Sequence, residues 1–390
     1  MIYKVLMIEM ANPFGVGGGS FASLAHLYAF SHLFNGNIDI CVADTCPPAP
    51  KDLKCNNIYR VPARSKLNRY LSVFTGELHR YTSFVKSILR KKPREYDICV
   101  FDGNQIGGAL VDFVKSVGIK TITINHNYEP EYFLDNSKSK LQRILFYHHV
   151  RRAESRSFKR SDCNLFLTES DKRKFISEYG YSESNQFVIG TFEYKHSPDT
   201  SKSYTYNKTK PIVLSITGSL CTPQGVDGIR YFFSECYPLL PKDCHIIIAG
   251  RTPIDEVFNL CRNHNNVELI PSPPDMLEII YQSDIYICPT RLGSGLKLRV
   301  MDGLRLGKPI LCYEKSVRGY ERFLGKQFFI SFSNPKEFKD GYNNLVDKLK
   351  QGVISSKQIK EEYKDCFSFE SGVRRLEEIV NVIIKNTSVH

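Results

Sequence analysis

The sequence predicts an α/β protein built from two doubly wound, parallel-sheet domains, and three observations carry that reading. Short β-branched runs alternate with segments of helical period along most of the chain, the pattern of strands wrapped on both faces by crossover helices. The alternation breaks once, over a polar stretch rich in Ser, Thr, Tyr and Lys, and then restarts. The length, 390 residues, suits two domains at roughly 150 residues each.

Taken in order, residues 3–9, 38–43, 98–101, 121–124, 164–167 and 187–189 read as strands, with helical periodicity between them at 20–33 and 107–117. Thr168-Glu169-Ser170-Asp171, after the strand at 164–167, offers a hydroxyl and acids suited to capping a helix N-terminus. The polar stretch 196–210 reads as a linker. Beyond it, 212–216, 244–249, 267–270, 285–288 and 309–312 read as strands. The expected division is therefore a first domain at 1–195, the linker at 196–210, a second domain at 211–366 and a terminal helical segment at 367–390.

Composition narrows the class. Hydrophobic residues make up 42% and charged residues 24%, as in folded globular proteins. Apolar runs such as Ile246-Ile247-Ile248 fall far short of the about 18 residues a membrane span needs. Met1-Ile2-Tyr3-Lys4 leads straight into the first strand without the features of a secretory leader, so the cytosol is the expected compartment. Of the twelve cysteines, none forms a C-x-x-C pair, and Cys41, Cys99, Cys163, Cys244, Cys288 and Cys312 lie inside apolar strand runs. Buried, reduced thiols are expected there. The formal net charge of +12 attracts polyanions: nucleic acid, an anionic membrane face or a phosphorylated substrate. No zinc finger, RNA-recognition signature or basic zipper is present, so nucleic acid is not the expected partner.

The most specific signal is Cys288-Pro289-Thr290-Arg291-Leu292-Gly293-Ser294-Gly295-Leu296-Lys297-Leu298-Arg299-Val300-Met301-Asp302-Gly303. A buried strand ends at Cys288, a glycine-containing loop follows, and a helix is expected to start near Leu296. Gly293 and Gly295 permit close backbone approach to a ligand, and free N–H groups at the helix start suit a phosphate. Lys297 and Arg299 add positive charge, and Asp302 could accept hydrogen bonds from a hydroxylated group such as a ribose.

This stretch resembles the donor-binding element of retaining GT-B glycosyltransferases of family 4, in a variant with Gly-Ser-Gly and basic residues ahead of an acidic one. Three other segments agree in order: Thr217-Gly218-Ser219-Leu220 with Val226-Asp227-Gly228, then Ile248-Ala249-Gly250-Arg251, then Gly307-Lys308-Pro309-Ile310. The resemblance implies a GT-B fold, with the last helix crossing back to the first domain and ligands in the cleft between domains. It implies Asp302 on the nucleotide ribose; the backbone of Gly293, Ser294, Gly295 and Leu296, with Lys297 and Arg299, on the diphosphate; Ile270 and Pro271 on the base through their main chain; and Gly218 and Arg251 as further nucleotide contacts. The sequence departs from the family pattern in two places. Ser294 stands where a first carboxylate is common, and the first loop reads Cys221-Thr222-Pro223-Gln224 without the usual Arg and Lys.

In the first half, Gly15-Val16-Gly17-Gly18-Gly19-Ser20 follows the first strand and opens a helix, and Asp44 ends the second strand. Alone, this fits a dinucleotide fingerprint of an NAD(P)-dependent oxidoreductase; the resemblance instead implies that Gly17 and Gly18 face the reaction cleft. His126-Asn127-Tyr128-Glu129, after the strand at 121–124, resembles the family motif whose His contacts the donor sugar near the reacting carbon. His126, Lys297 and Asp302 are the candidate catalytic residues. No D-x-D metal motif appears, so no metal and no cofactor is expected beyond the nucleotide-diphosphate sugar itself, with a glycan or lipid-linked acceptor. A sugar-nucleotide epimerase and an inactive nucleotide-binding scaffold remain alternatives on the same fold. Finally, Leu67, Tyr70, Leu71, Phe74, Leu78, Tyr81, Phe84, Val85, Ile88 and Leu89 recur at helical spacing among Lys and Arg, and 138–160 is basic with Leu141, Ile144, Leu145 and Phe146. Such faces could lie on an anionic membrane surface or pack on the sheet.

Overall fold

The computed structural model describes residues 3–10, 12–15, 17–62, 81–92, 94–136, 140–180, 185–194, 206–293 and 295–385. The chain divides into two compact units, Met1–Ser197 with Phe367–His390, and Pro198–Cys366.

The first unit has seven described parallel strands: β1 (Val5–Glu9), β2 (Ile38–Ala43), β3 (Asn57–Val61), β4 (Ile98–Asp102), β5 (Lys120–Asn125), β6 (Cys163–Phe166) and β7 (Asn185–Val188). Their order is β3-β2-β1-β4-β5-β6-β7. The chain moves outward from β1 to β3 and returns on the other side of β1 as β4, so the topological switch point lies between β1 and β4. Alternate residues of one strand feed opposite layers. Val5 and Met7 join one core with helix α1 (Gly18–Leu33). Leu6 and Ile8 join another with helices α2 (Tyr81–Lys91) and α3 (Asn104–Ser116). Helices α4 (Glu129–Asn136), α5 (Lys140–Arg160) and α6 (Glu169–Tyr179) follow.

The second unit has six described parallel strands: β8 (Val213–Ser219), β9 (His245–Arg251), β10 (Val267–Pro271), β11 (Ile285–Cys288), β12 (Ile310–Tyr313) and β13 (Phe329–Phe332). They are ordered β10-β9-β8-β11-β12-β13, with the switch point between β8 and β11. Helix α7 (Pro223–Tyr231) runs into a π-helical turn, Phe232–Cys236, and the chain continues through α8 (Asp255–Arg262), α9 (Met276–Gln282), α10 (Leu298–Arg305), α11 (Pro335–Gln351) and α12 (Ser356–Phe367). The last helix, α13 (Phe369–Lys385), belongs to the first unit, where Leu376, Ile379, Val380 and Ile383 share the core of α1.

The apolar stripe read as a possible membrane face is corrected where it is described. Tyr81, Val85, Ile88 and Leu89 of α2 are buried against the sheet, with α3 beside them, because a parallel sheet needs cover on both faces. Leu67, Tyr70, Leu71, Phe74 and Leu78 lie outside the described residues. Helix α5 is mixed: Val150, Ala153 and Phe158 turn inward, whereas Ile144 is 71% exposed. Among the described residues no helix is long and apolar enough to cross a membrane. Cys41, Cys99, Cys163, Cys288 and Cys312 are buried in strands, and Cys244 is buried just ahead of β9.

Candidate active site

In the second unit the predicted residues gather at the carboxyl ends of β8 and β11, flanking the switch point. Gly218 lies near the end of β8 with φ of 155°. A Cβ there would meet the Arg299 guanidinium at 2.1 Å from Cζ. Glycine is thus the residue that lets Arg299, from the first turn of α10, lay its charge against the end of β8. Gly250 at the end of β9 is equally constrained, since a Cβ would lie 2.0 Å from the Gly218 carbonyl oxygen.

Helix α7 fixes the loop after β11. Thr222 caps α7 by accepting from the Gly225 N–H at 3.3 Å, and Pro223 takes the first turn, where a missing donor costs nothing. From this helix Asp227 accepts two hydrogen bonds from Arg291, at 2.8 and 3.1 Å. The same guanidinium stacks 4.3 Å from the Tyr231 ring centre. Asp227 raises the Arg291 pKa further, which keeps this anchor charged. Gln224 lies against Gly293, whose φ is 89°.

Helix α10 starts at Leu298, two residues later than expected, with Lys297 as its N-cap residue. The reason is visible at Lys297. Its ammonium donates to the carbonyls of Gly293 at 2.7 Å and Gly295 at 3.1 Å, drawing the loop into a closed turn ahead of the helix. Lys297 therefore shapes the glycine loop, and Arg299 is the cation laid along the strand ends. Tyr320, fully buried, donates to the Lys297 carbonyl at 3.0 Å. Asp302 is half-buried one turn into α10, and its charge helps raise the phenol pKa values of Tyr286 and Tyr320 behind burial itself. Ser294 lies outside the described residues.

Arg251 ends β9 in register with Ser219 and is exposed. Ile270 and Pro271 end β10 beside Ala249 and Gly250. Both strands turn away through residues with positive φ, Thr252 at 47° and Ser272 at 48°. Such conformations cost about 1–3 kcal/mol each unless neighbours hold them. The holding bonds are Ser272 N–H to Gly250 O at 2.7 Å and Thr252 N–H to Ser272 Oγ at 3.1 Å.

In the first unit a buried polar cluster forms at the carboxyl ends of β1, β4 and β5, again at the switch point. His126 Nε2 lies 2.5 Å from Asp102 Oδ1, and the Ser23 hydroxyl donates to Asp102 Oδ2. Burial disfavours charge on both partners, yet the Asp102 carboxylate raises the His126 pKa and His126 holds Asp102 below the usual carboxylate range. Breaking such a buried pair by removing one member costs about 3–5 kcal/mol, because the other charge is left uncompensated. Glu9, fully buried beside Asp102, is pushed well above the carboxylate range by burial and then by the Asp102 charge. Burial lowers His26 to about 4. Its Nε2 bonds to the Gly190 carbonyl at 3.2 Å, so the ring is neutral with its proton on Nε2.

His26, Asp102 and His126 place three ligand-type atoms within 4.8 Å of one another. The direct contact of His126 with Asp102, and the Ser23 hydroxyl on the other carboxylate oxygen, fill the space an ion would take. The set fits a hydrogen-bonded pair better than a metal centre. The loop carrying His126 is fastened from behind by buried Glu154, which accepts from the Glu129 N–H at 2.8 Å, from Asn104 at 2.6 Å and from Tyr179 at 2.8 Å. Glu129 itself is buried, accepts from Gln105 at 3.2 Å and has a raised pKa from burial. Gly17 is the N-cap of α1, with φ of 147° and no side-chain cap. Gly17 and Gly18 are exposed, and nothing lies within 4 Å of a Cβ added at Gly17.

Sequence reasoning missed Asp102, Ser23, His26, Glu9 and the Arg291–Asp227 anchor. Asp102 had a usable signal, an acid followed by Gly at the end of the apolar run Ile98-Cys99-Val100-Phe101.

Together these features define the class. The fold is GT-B, with two Rossmann-like units, and residues 211–348, most of the second unit, match the family model described as glycosyl transferases group 1. Among curated relatives, the chain is 26% identical to an uncharacterized 44.6 kDa protein in the cps region of Klebsiella pneumoniae, over 64% of this chain and 66% of that protein, a little under two thirds of its length. It is 21% identical to an uncharacterized glycosyltransferase of Methanocaldococcus jannaschii, over 89% of this chain and 91% of that one. Among solved structures it resembles sucrose-phosphate synthase from Thermosynechococcus elongatus, with a TM-score of 0.71, 12% identity and coverage of 98% and 100%. It also resembles Anabaena HepE in complex with UDP-glucose, with a TM-score of 0.68, 12% identity and coverage of 97% and 100%.

Proposed function

We infer that the protein is a retaining, metal-independent glycosyltransferase that moves a hexosyl group from a nucleotide-diphosphate sugar, UDP-linked, to a hydroxyl of a glycan or lipid-linked acceptor in surface-polysaccharide assembly. The observation that carries this reading is the glycine-lined strand end of the second unit, where Gly218 makes room for the Arg299 guanidinium within the matched domain. The cps-region relative supports the setting, and the solved complex of Anabaena HepE with UDP-glucose supports the donor class.

In this reading Arg299 and the amides of Gly293, Ser294, Gly295 and Leu296 hold the diphosphate, Asp302 the ribose, and the main chain at Ile270 and Pro271 the base, with Arg251 nearby. Lys297 keeps the loop in shape. Charge builds on the diphosphate as the sugar leaves, and fixed cations and N–H dipoles stabilise it without reorganising during the reaction. The acceptor attacks from the face the diphosphate leaves, a phosphate oxygen takes its proton, and His126 serves the transferred sugar. Gly17 and Gly18 leave an open helix start for a further polar group.

A panel of nucleotide sugars tests this, because a ligand preferring the folded state raises the melting temperature. UDP sugars raise it, the active one yields product with the donor's anomeric configuration, and a chelator leaves the rate unchanged. Stabilisation by none of them, or an inverted product, contradicts the reading. The open glycines at Gly17 and Gly18 favour one rival, a nicotinamide-dependent oxidoreductase, and quenching of reduced-cofactor fluorescence at micromolar protein would support it instead.

Membrane contact is proposed for the outer face of α5 alone, where Ile144 is exposed. Arg156 and Arg160 there are partly neutralised by Asp112. The protein then sediments with anionic liposomes at low salt and loses this with Ile144→Glu; no sedimentation at low salt removes the idea.

A further inference from the structure

We propose that Asp102 is a positioning residue for His126: with Ser23 clamping its second oxygen, it fixes the imidazole through Nε2 and turns Nδ1 toward the substrate side. The proposal rests on the glycosyltransferase reading and deepens it by naming what supports His126.

The geometry carries it. Asp102 is 1% exposed, so it meets no substrate directly. One of its oxygens bonds to His126 Nε2 and the other receives the Ser23 hydroxyl. His126 keeps 17% of its side chain exposed, and Nδ1 makes no hydrogen bond to the described residues. The ring therefore has Nε2 spent on the buried acid, while part of the side chain reaches the surface. The charged and titratable groups around the pair come from every packed element. Burial and the Asp102 charge push Glu9 on β1 well above the carboxylate range, and burial lowers His26 on α1 to about 4. Glu129 at the start of α4 faces His126, and Arg375 on α13 acts on His26. Among the described residues, Asp102 is the carboxylate hydrogen-bonded to the ring.

Replacing the acid by an amide of the same shape separates positioning from simple scaffolding. In Asp102→Asn, with ring-labelled histidine followed by NMR, the His126 titration shifts to lower pH by at least one unit. kcat falls tenfold or more while the affinity for UDP, measured separately by calorimetry, stays within twofold. Ser23→Ala, which keeps the carboxylate, gives a smaller shift in the same direction and guards against failure of the first variant to fold. An unchanged His126 titration in both variants overturns the proposal. Should the wild-type protein transfer no sugar at all, the function reading fails, and the NMR titration still decides whether Asp102 governs His126.

Discussion

Gly218 and Arg299 are legible only together. In the sequence one is a turn glycine and the other a basic residue on a helix; in the fold a Cβ on the first would stand 2.1 Å from the second. Gly218→Ala should therefore displace the guanidinium and weaken UDP at least tenfold, about 1.4 kcal/mol, and Asp302→Ala should do the same through the ribose. Calorimetric titration checks both, and wild-type affinity in either variant removes that residue from the site. The first unit repeats the lesson. His126 was readable from its place after a strand, and Asp102 carried a signal of its own, but the pairing of the two was not readable. His26 sits in the run Ala25-His26-Leu27-Tyr28, where it reads as one more core position, and Asp102 is separated from His126 in sequence although adjacent in the sheet. His26 has a measurable consequence. Its folded pKa of about 4 lies below its ordinary 6.5, so its contribution to stability is fully present above that ordinary value and is lost as the pH falls toward 4. The loss approaches about 3 kcal/mol. His26→Gln should flatten the acid side of a stability-against-pH curve measured by denaturant unfolding; an unaltered slope would show that other groups set it.

Elements are held by close approaches that composition alone does not reveal. Helices α3 and α5 meet at two glycines: a Cβ on Gly108 would lie 2.1 Å from the Ala153 carbonyl oxygen, and one on Gly107 would lie 2.2 Å from Ser157 Oγ. Gly108→Ala should destabilise the first unit by about 1–3 kcal/mol or more, since backbone cannot yield as a side-chain tip can. An unfolding midpoint unchanged in denaturant would contradict that contact. Lys308 illustrates a family-like motif with an architectural task, because its buried ammonium donates to the carbonyls of Tyr281 and Ser283 at 2.7 and 2.6 Å and closes the end of α9. Central strands such as β2, buried at every position, were legible as apolar runs, broken in β2 only by the buried Asp39. Two edge strands were missed, β3 and β13. Each is covered less completely, β3 burying only Val61 outright and β13 burying only its two terminal phenylalanines, so neither shows the continuous apolar run of a central strand.

At the scale of the whole molecule, the same solution is used twice: a parallel sheet whose strand order reverses once, with candidate site residues at the carboxyl ends beside the reversal. The duplication was legible because each sheet needs its own strand–helix alternation, whereas the strand orders were not, since periodicity reports burial and not neighbours. The central claim is that the second unit grips the donor's diphosphate. The most direct measurement is a crystal structure with a bound UDP sugar. The account predicts the diphosphate against the amides following Gly293 with the Arg299 guanidinium on it. A diphosphate seated at Gly17 and Gly18, with the later glycines empty, would contradict it.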